Sequence, residues 1–159
     1  MTSAYLSLGS NLGDRAANLR QALEYLATAG VAAVRRSSIY ETEPQDLREQ
    51  PWFLNQVVEV KTALSAPELL ARIREIEREL GRQRMIAKGP RTIDIDILFY
   101  GDAILDTPEL QIPHPRLAER RFVLQPLAEL APDLRHPKTN RTVSEMLATI
   151  EGQTVKRLG

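Results

Sequence analysis

The order in which two hydrophobic periodicities follow each other restricts the fold of this chain more than any other feature. Segments in which every second residue is apolar predict β-strands, and segments with apolar residues three and four positions apart predict amphipathic helices. In the first 101 residues these patterns give the order strand, helix, strand, strand, helix, strand. The predicted strands are Ala4–Ser10, Val31–Thr42, Trp52–Leu64 and most of Gly89–Gly101, and the predicted helices are about Asp14–Ala29 and Ser65–Gly81.

The second predicted helix has the clearest boundaries. Ser65 and Glu68 have the spacing of a capping box, Pro67 suits the first turn, and Gly81 ends the apolar stripe. Two such helices in this strand order are typical of a ferredoxin-like α+β sandwich, the βαββαβ fold, with helices packed on an antiparallel sheet.

After Gly101 the pattern is less regular. We predict a helix near Val123–Leu130 and a short helix opened by the capping box of Thr142 and Glu145, which together form a C-terminal helical extension. The chain contains no internal repeat, low-complexity tract or linker, so a single domain over residues 1–159 is the simplest prediction.

Composition excludes several functional classes. The 21 basic and 21 acidic residues give a net charge of zero, whereas binding to nucleic acid or to a membrane surface normally needs a basic excess. Cysteine is absent, so no disulfide or thiolate metal site is expected. No apolar run approaches the roughly 20 residues of a membrane helix, and no secretory signal opens the sequence. We expect a cytoplasmic monomer that acts on small molecules.

The predicted strand in Gly89–Gly101 carries the most informative polar residues. Alternation predicts that one face is buried, formed by Ile93, Ile95, Ile97 and Phe99. Asp94 and Asp96 then share the opposite face, roughly 6.6–6.8 Å apart along the strand. Two such carboxylates suit Mg²⁺, which is usually held by one or two carboxylates together with substrate phosphates. A solvated surface pair is the alternative, and the D-x-D spacing by itself does not decide between them.

Basic residues flank this strand on both sides. Upstream they are Arg82, Arg84, Lys88 and Arg91, and downstream they are His114, Arg116, Arg120 and Arg121. Cations around a carboxylate pair suit a polyphosphate bound with Mg²⁺. The alternative is a set of surface salt bridges, which contribute little. No Walker A sequence is present, so a P-loop does not hold any nucleotide.

Three further residues have two interpretations each. Phe53 and Asn55 share a strand face, where a ring and an amide suit a flat heterocycle, although a strand end near solvent has the same pattern. Glu77 either serves the site or lies on the exposed surface of its helix.

Six motifs then occur in one order along nearly the whole chain. They are LGSNLGD (8–14), YETEP (40–44), FLN (53–55), IERELGRQR (76–84), GPRTIDIDIL (89–98) and IPHPRLAERRFVLQPLAELAP (112–132). In this set the sequence strongly resembles the 6-hydroxymethyl-7,8-dihydropterin pyrophosphokinases of folate biosynthesis. The resemblance implies a ferredoxin-like fold and transfer of the pyrophosphoryl group of ATP to the pterin hydroxymethyl, with release of AMP.

The resemblance also implies roles for individual residues. Two Mg²⁺ ions, with ATP as co-substrate, would be held by Asp94 and Asp96, and the catalytic residues would be Arg82, Arg91, Asp94 and Asp96. ATP would contact Glu77, Arg84, Lys88, Ile97, His114 and Arg120. The pterin would stack between Phe53 and Phe122 and contact Thr42, Pro44, Gln45 and Asn55.

Two other functions stay open at this stage. A non-catalytic ferredoxin-like module would bind a small ligand without Mg²⁺, since the architecture hosts many functions. A metal-dependent phosphohydrolase would consume ATP without any pterin.

Overall fold

The structure is a computed structural model that describes residues 1–45, 49–81 and 92–158. Its strands are β1 (Thr2–Ser10), β2 (Val31–Arg36), β3 (Ile39–Thr42), β4 (Phe53–Thr62), β5 (Asp94–Tyr100), β6 (Leu105–Asp106), β7 (Gln111–Ile112) and β8 (Val155–Leu158). Its helices are α1 (Arg15–Thr28), α2 (Ala66–Glu79), α3 (Arg121–Leu130) and α4 (Val143–Ala148), and a 3₁₀ turn covers Leu117–Glu119.

Six strands form one antiparallel sheet. Its order is β5-β1-β4-β3-β8, and β2 also pairs with β4. Strands β6 and β7 form a separate small ribbon. The order of β1, α1, β2–β3, β4, α2 and β5 is the predicted βαββαβ arrangement, so the ferredoxin-like prediction is confirmed.

The local cap signals are also confirmed. The side chain of Ser65 accepts a hydrogen bond from the Glu68 N–H, and the Glu68 carboxylate accepts one from the Ser65 N–H. Thr142 and Glu145 make the same reciprocal pair at the start of α4. Each pair satisfies backbone donors that the first helical turn leaves without a partner.

The single strand predicted over Val31–Thr42 is wrong, because the segment forms two strands. The break lies at Ser37 and Ser38, between β2 and β3. Ser37 exchanges hydrogen bonds with the backbone of Val57, and the Ser38 N–H and hydroxyl donate to the Glu129 carboxylate of α3. A distant helix therefore satisfies the backbone where the strand is interrupted.

The sheet separates two hydrophobic cores. The first lies under α1 and α2 and is aliphatic, with Leu8 and Leu69 both fully buried. The second lies under α3 and α4, where Val57, Leu124 and Phe99 pack together. One face of the sheet is therefore held by the two central helices, and the other by the C-terminal helices.

Phe99 does not lie on the face predicted for it. Pairing with β1 shifts within β5, since Tyr5 opposes Phe99 while the next residue, Leu6, opposes Ile97. A bulge of this kind adds one residue to a strand and reverses the alternation beyond it. Ile97 therefore stays in the first core, and Phe99 joins the second.

The C-terminal extension contains more than the predicted helices. Helix α3 covers the predicted Val123–Leu130, and β8 returns to pair with β3 at the edge of the sheet. The sequence did not predict β6, β7 or β8. None of the helices within residues 1–45, 49–81 and 92–158 has the length and apolarity that a membrane span requires.

Candidate active site

One row of residues crosses the sheet and connects the two predicted halves of the site. Gly9 of β1 pairs with Asn55 of β4 on one side and with Asp94 of β5 on the other. Residues paired directly across neighbouring strands point to the same face, and neighbouring strands lie roughly 4.8 Å apart. Asp94 and Asn55 therefore lie on one face, about 10 Å apart, with a glycine between them.

A second row lies one pleat further along the sheet. Ser7 pairs with Asp96 on one side and with Val57 on the other. Val57 belongs to the core under α3, so both aspartates lie on the face that α3 and α4 cover in part. Each aspartate is half-buried, whereas Ile95 between them is buried in the opposite core. The prediction that the aspartates face away from Ile93, Ile95 and Ile97 is confirmed.

A cleft of about 400 Å³ follows the outer edge of β5. Its walls come from α2, from β5 and from the segment between β6 and the 3₁₀ turn. The cleft brings together both aspartates and three of the residues predicted to contact ATP, namely Glu77, Ile97 and His114.

Glu77 is not an exposed helix residue. It is buried on α2, and its carboxylate accepts a hydrogen bond of 2.9 Å from the backbone N–H of Ile95. Because β5 pairs with β1 on its other side, this bond satisfies a backbone donor on the side of β5 that points away from β1. Glu77 therefore connects α2 to the strand that carries the aspartates.

His114 enters the same cleft as a neutral imidazole. Its Nδ1 accepts a hydrogen bond from the Arg116 N–H, which leaves the ring proton on Nε2. The pKa of His114 is lowered from 6.5 to about 4, chiefly by burial and then by the nearby cations Arg120 and Arg116, while Asp94 acts in the opposite direction. At neutral pH the ring is thus an uncharged hydrogen-bond donor.

Arg120 approaches the carboxylate pair from the start of α3. One guanidinium nitrogen lies 3.9 Å from a carboxylate oxygen of Asp96, and the guanidinium carbon lies 5.4 Å from the ring centroid of Phe122. A cation over an aromatic face is favourable. The contacts connect the acidic pair to the residue that is predicted to stack on one side of the pterin.

The other predicted pterin contacts gather where β3 and β4 pair. Thr42 lies opposite Phe53 in the register, and the Asn55 amide donates to the Thr42 hydroxyl. Asn55 is only 4% exposed, so the alternative of a strand end near solvent is wrong. Phe53 is half-buried next to them.

Pro44 and Gln45 follow directly after β3. Pro44 is buried, and the Gln45 amide donates to the backbone carbonyl of Glu43. The structure therefore places both residues beside Thr42 without directing the Gln45 amide toward the rest of the site. The predicted residues Arg82, Arg84, Lys88 and Arg91 lie outside the described residues.

Gly9 lies between the predicted site residues Asn55 and Asp94, and the sequence did not single it out. A Cβ added at this position would lie 2.7 Å from Asn55 Oδ1 and 3.5 Å from Phe53 Cδ1. The absence of a side chain thus gives Asn55 and Phe53 their positions over β1. The signal available in the sequence was the glycine of the LGSN motif, but its partner in space is 46 residues away.

The side chains present fit a hard cation that is held together with a ligand. Asp94 and Asp96 offer oxygen donors from one face of one strand, which suits Mg²⁺. Across the described parts of the chain, no three His, Asp or Glu side chains cluster closely enough to hold a metal by themselves. Such a donor set matches the usual Mg²⁺ site, in which substrate phosphates and waters complete the coordination.

The fold and the cleft define a class: a ferredoxin-like α+β protein with an acidic pair beside buried polar residues on one face of its sheet. Within this class the chain belongs to the 7,8-dihydro-6-hydroxymethylpterin-pyrophosphokinase family, whose model matches residues 5–132. The family that the sequence motifs indicated is thereby confirmed.

Relatives of known sequence agree with this assignment. The chain is 46% identical over 159 residues to a 2-amino-4-hydroxy-6-hydroxymethyldihydropteridine pyrophosphokinase of Methylorubrum extorquens, covering 99% of each. A Bacillus subtilis protein of the same name is 48% identical over 86% of this chain and 83% of its own length. A Pneumocystis carinii folic acid synthesis protein, fol1, is 42% identical, and this chain spans only 21% of its length.

The fold is shared with a solved structure described as HPPK-DHPS in complex with substrates. The TM-score is 0.74 at 16% identity, over 93% of this chain and 43% of that one. At this identity the likeness concerns the fold alone.

Proposed function

We propose that this chain transfers the pyrophosphoryl group of ATP to the hydroxymethyl of 6-hydroxymethyl-7,8-dihydropterin, giving AMP and the pterin diphosphate in tetrahydrofolate biosynthesis. Family membership supports the reaction. One observation carries it further: Asp94 and Asn55 share a face of the sheet with only Gly9 between them. The carboxylates for a metal–phosphate complex and the amide for a heterocycle are thus separated by about the width of one small ligand.

On the nucleotide side, the triphosphate occupies the cleft along β5. His114 donates from Nε2 to a phosphate oxygen without adding charge, and Arg120 balances phosphate charge from the start of α3. Glu77 keeps α2 and β5 together and, with Ile97, borders the nucleotide. Arg84 and Lys88, outside the described residues, add further phosphate contacts in this proposal.

Mg²⁺ is the cofactor, and we propose two ions held by Asp94 and Asp96. When bound, the metal neutralises phosphate charge and polarises the phosphoryl group that is attacked. The two aspartates also repel bare phosphate oxygens, which makes binding of the nucleotide as its Mg²⁺ complex favourable.

On the pterin side, the heterocycle stacks between Phe53 and Phe122. Asn55 and Thr42 are buried and already joined by a hydrogen bond, so their positions are fixed before the ligand arrives. Pro44 and Gln45 close the pocket at the end of β3. A preformed pocket of this kind orients the hydroxymethyl group toward Asp94.

The transfer itself is a displacement at phosphorus. The hydroxymethyl oxygen bonds to the β-phosphorus and releases its proton to solvent, the bond from that phosphorus to the oxygen bridging the α- and β-phosphates breaks, and AMP leaves with that oxygen. Catalysis of this kind depends on position and charge balance rather than on a covalent enzyme intermediate. Arg82 and Arg91, outside the described residues, are the proposed cations that balance the charge of the transferred group.

The proposal covers the whole of residues 1–159 as one pyrophosphokinase domain. The chain acts as a monomer on small molecules in the cytoplasm. The chain spans about a fifth of the length of the two fungal relatives, so the proposal concerns this chain and not the further parts of those proteins.

Incubation of the protein with ATP, Mg²⁺ and 6-hydroxymethyl-7,8-dihydropterin, followed by separation of the nucleotides, tests this function. We expect AMP only when pterin and Mg²⁺ are both present. Formation of ADP, or AMP release without pterin, would identify a phosphohydrolase instead. Mg²⁺-independent binding of both ligands without any turnover would indicate a binding module.

A further inference from the structure

The segment between α4 and the end of β8 contacts both predicted walls of the pterin pocket. One wall is the end of β3 with Glu43, and the other is the start of α3 with Phe122. The backbone and side-chain contacts of Gln153 and Thr154 connect these walls, although neither residue belongs to any motif of the sequence.

The start of α3 has no cap from its own chain segment. Arg120 is the N-cap residue, and its side chain makes no capping hydrogen bond. Gln153 supplies the missing acceptor, because its Oε1 accepts a bond of 2.8 Å from the Arg121 N–H. Its Nε2 donates over 2.8 Å to the Glu119 carbonyl. The amide thus holds the backbone on both sides of Arg120, the residue that contacts Asp96 and Phe122.

Arg121 strengthens this connection in the reverse direction. Its guanidinium donates to the carbonyls of Gly152 and Ile150. The backbone around Gln153 and the first turn of α3 are therefore joined by donors from both partners. Hydrogen bonds from a charged donor are among the stronger ones in proteins.

Thr154, the next residue, connects the segment to the other wall, at the end of β3. The Thr154 N–H donates over 2.8 Å to the Glu43 carboxylate, and the Glu43 N–H donates to the Thr154 carbonyl. Pairing then continues into the sheet, where Val155 of β8 lies opposite Thr42 of β3. The contacts therefore fix the residue that hydrogen-bonds Asn55.

Gln153 adopts a backbone conformation that is unfavourable for its residue type. Its φ is 60°, in the left-handed region that glycine or asparagine usually occupies. A strained residue persists when its surroundings require it, and the observed strain motivates a hypothesis of function. Here the strain directs the Gln153 amide to the start of α3 while the chain continues into β8.

We propose that Gln153 is a positioning residue, which sets the separation between the two walls of the pterin pocket by clamping the start of α3 to the end of β3. This inference rests on the proposed function. It predicts that loss of the Gln153 amide weakens pterin binding more than ATP binding, because the pterin contacts both walls and ATP contacts only the start of α3, through Arg120.

Gln153→Gly tests this proposal, since glycine relieves the unfavourable φ and removes the amide. We expect the KM for pterin to rise about tenfold, which is the loss of one helix-capping contact, while the KM for ATP changes by about twofold or less. The Tm should change little, because the strain that glycine relieves offsets the lost capping contact. Calorimetric titration of pterin in the presence of an unreactive ATP analogue should give the same selective loss.

Asn140→Gly is the matched control. Asn140 has a φ of 61° in a loop of the C-terminal extension, so the variant places glycine in the same left-handed region without touching the pocket. Its KM values should equal those of the unmodified protein. Gln153→Glu keeps the acceptor for the Arg121 N–H and loses the donor to Glu119, and it should give an intermediate pterin KM. Glu43→Ala should raise the pterin KM as well, and Glu43→Gln, which keeps an acceptor oxygen, should restore it.

The outcomes separate two failures. If the unmodified protein forms no AMP with pterin, the proposed function falls and this inference falls with it. If AMP forms and Gln153→Gly leaves the pterin KM within about twofold of normal, only the inference is overturned. Loss of folding in both Gln153 variants, measured by circular dichroism, would also overturn it, because the residue would then serve folding in place of the pocket.

Discussion

The two faces of the central sheet use the same strands for different purposes. Along β5, Ile95 and Ile97 are buried in the aliphatic core under α1 and α2. Asp94 and Asp96, which alternate with them, lie on the other face beside Gly9 and the cleft. The face under α1 and α2 is therefore packed into a core, and the proposed site lies on the opposite face wherever α3 and α4 leave it uncovered.

The largest expected effect on turnover comes from substitution of the two carboxylates in the proposed site. Asp94→Asn or Asp96→Asn should lower turnover by about a hundredfold to a thousandfold, the usual cost of losing one charge-stabilising group. Both side chains are half-buried at a cleft, so the Tm should change little. Rates of AMP formation and thermal unfolding measure the two quantities.

Asp102→Asn is the control for these variants, since Asp102 is exposed just after β5. Its turnover should be unchanged. Near-normal turnover in both of the β5 variants would remove the metal-binding role assigned to Asp94 and Asp96.

Substitutions in the core under α1 and α2 should instead lower stability and leave substrate binding unchanged. Leu69 of α2 is fully buried in the aliphatic core, and Leu69→Ala should lower the free energy of unfolding by about 3 kcal/mol through lost burial and a cavity. Both KM values should stay normal at temperatures where the variant is folded. Urea titration measures the stability, with the exposed Val34→Ala as control.

A change in pterin KM without a loss of stability in Leu69→Ala would contradict this division of the sheet. It would mean that the helices under the aliphatic face also shape the site on the other side.

His114, which lines the cleft, should make the free energy of unfolding depend on pH. Its pKa falls from 6.5 to about 4 in the folded protein, so between these values the unfolded chain binds more protons. The contribution to stability is complete above pH 6.5 and is lost as the pH falls toward 4. After allowance for solvent screening, the loss should be about 2 kcal/mol.

Urea titrations of the protein without ligands at pH 7 and pH 4.5 check this expectation. His114→Gln should lose less stability than the unmodified protein over that interval. His136→Gln is a useful comparison, because burial and Lys138 also lower the pKa of His136, which is outside the cleft. Parallel pH curves for His114→Gln and the unmodified protein would refute the assignment.

The features that the sequence predicts well are local ones. The capping box of Ser65 and Glu68 involves residues three positions apart, and the alternation around Asp94 is a property of one strand. The βαββαβ order follows from such local patterns. The family motifs then predict a set of site residues, of which those within the described chain lie on or next to β3, β4, α2, β5, β7 and the start of α3.

The features that it predicts poorly depend on partners far along the chain. The break at Ser38 is stabilised by Glu129, 91 residues away. The reversal that moves Phe99 to the other core arises from the pairing of β5 with β1. Strand β8 has only four residues and exists because β3 pairs with it. Periodicity within one segment contains no information about such partners.

Gly9 lies between Asp94 and Asn55 on the face that carries the proposed site. Gly9→Ala should have a smaller effect than the changes at Asp94 or Asp96, Leu69 and His114. In Gly9→Ala the new methyl group would meet Asn55 Oδ1 at 2.7 Å, and Asn55 is held by its bond to Thr42. The Asn55 side chain must then move away from its position beside Thr42. We expect the pterin KM to rise about tenfold, equal to about 1.4 kcal/mol, with a normal KM for ATP.

A double-mutant cycle decides whether this effect passes through Asn55. Asn55→Ala removes the obstructing oxygen, so adding Gly9→Ala to it should change the pterin KM by less than about twofold. If the two substitutions instead multiply their effects, the methyl group acts on the ligand or on β1 directly. Gly9 would then be part of the pocket wall, and the space that it leaves for Asn55 would not explain the effect.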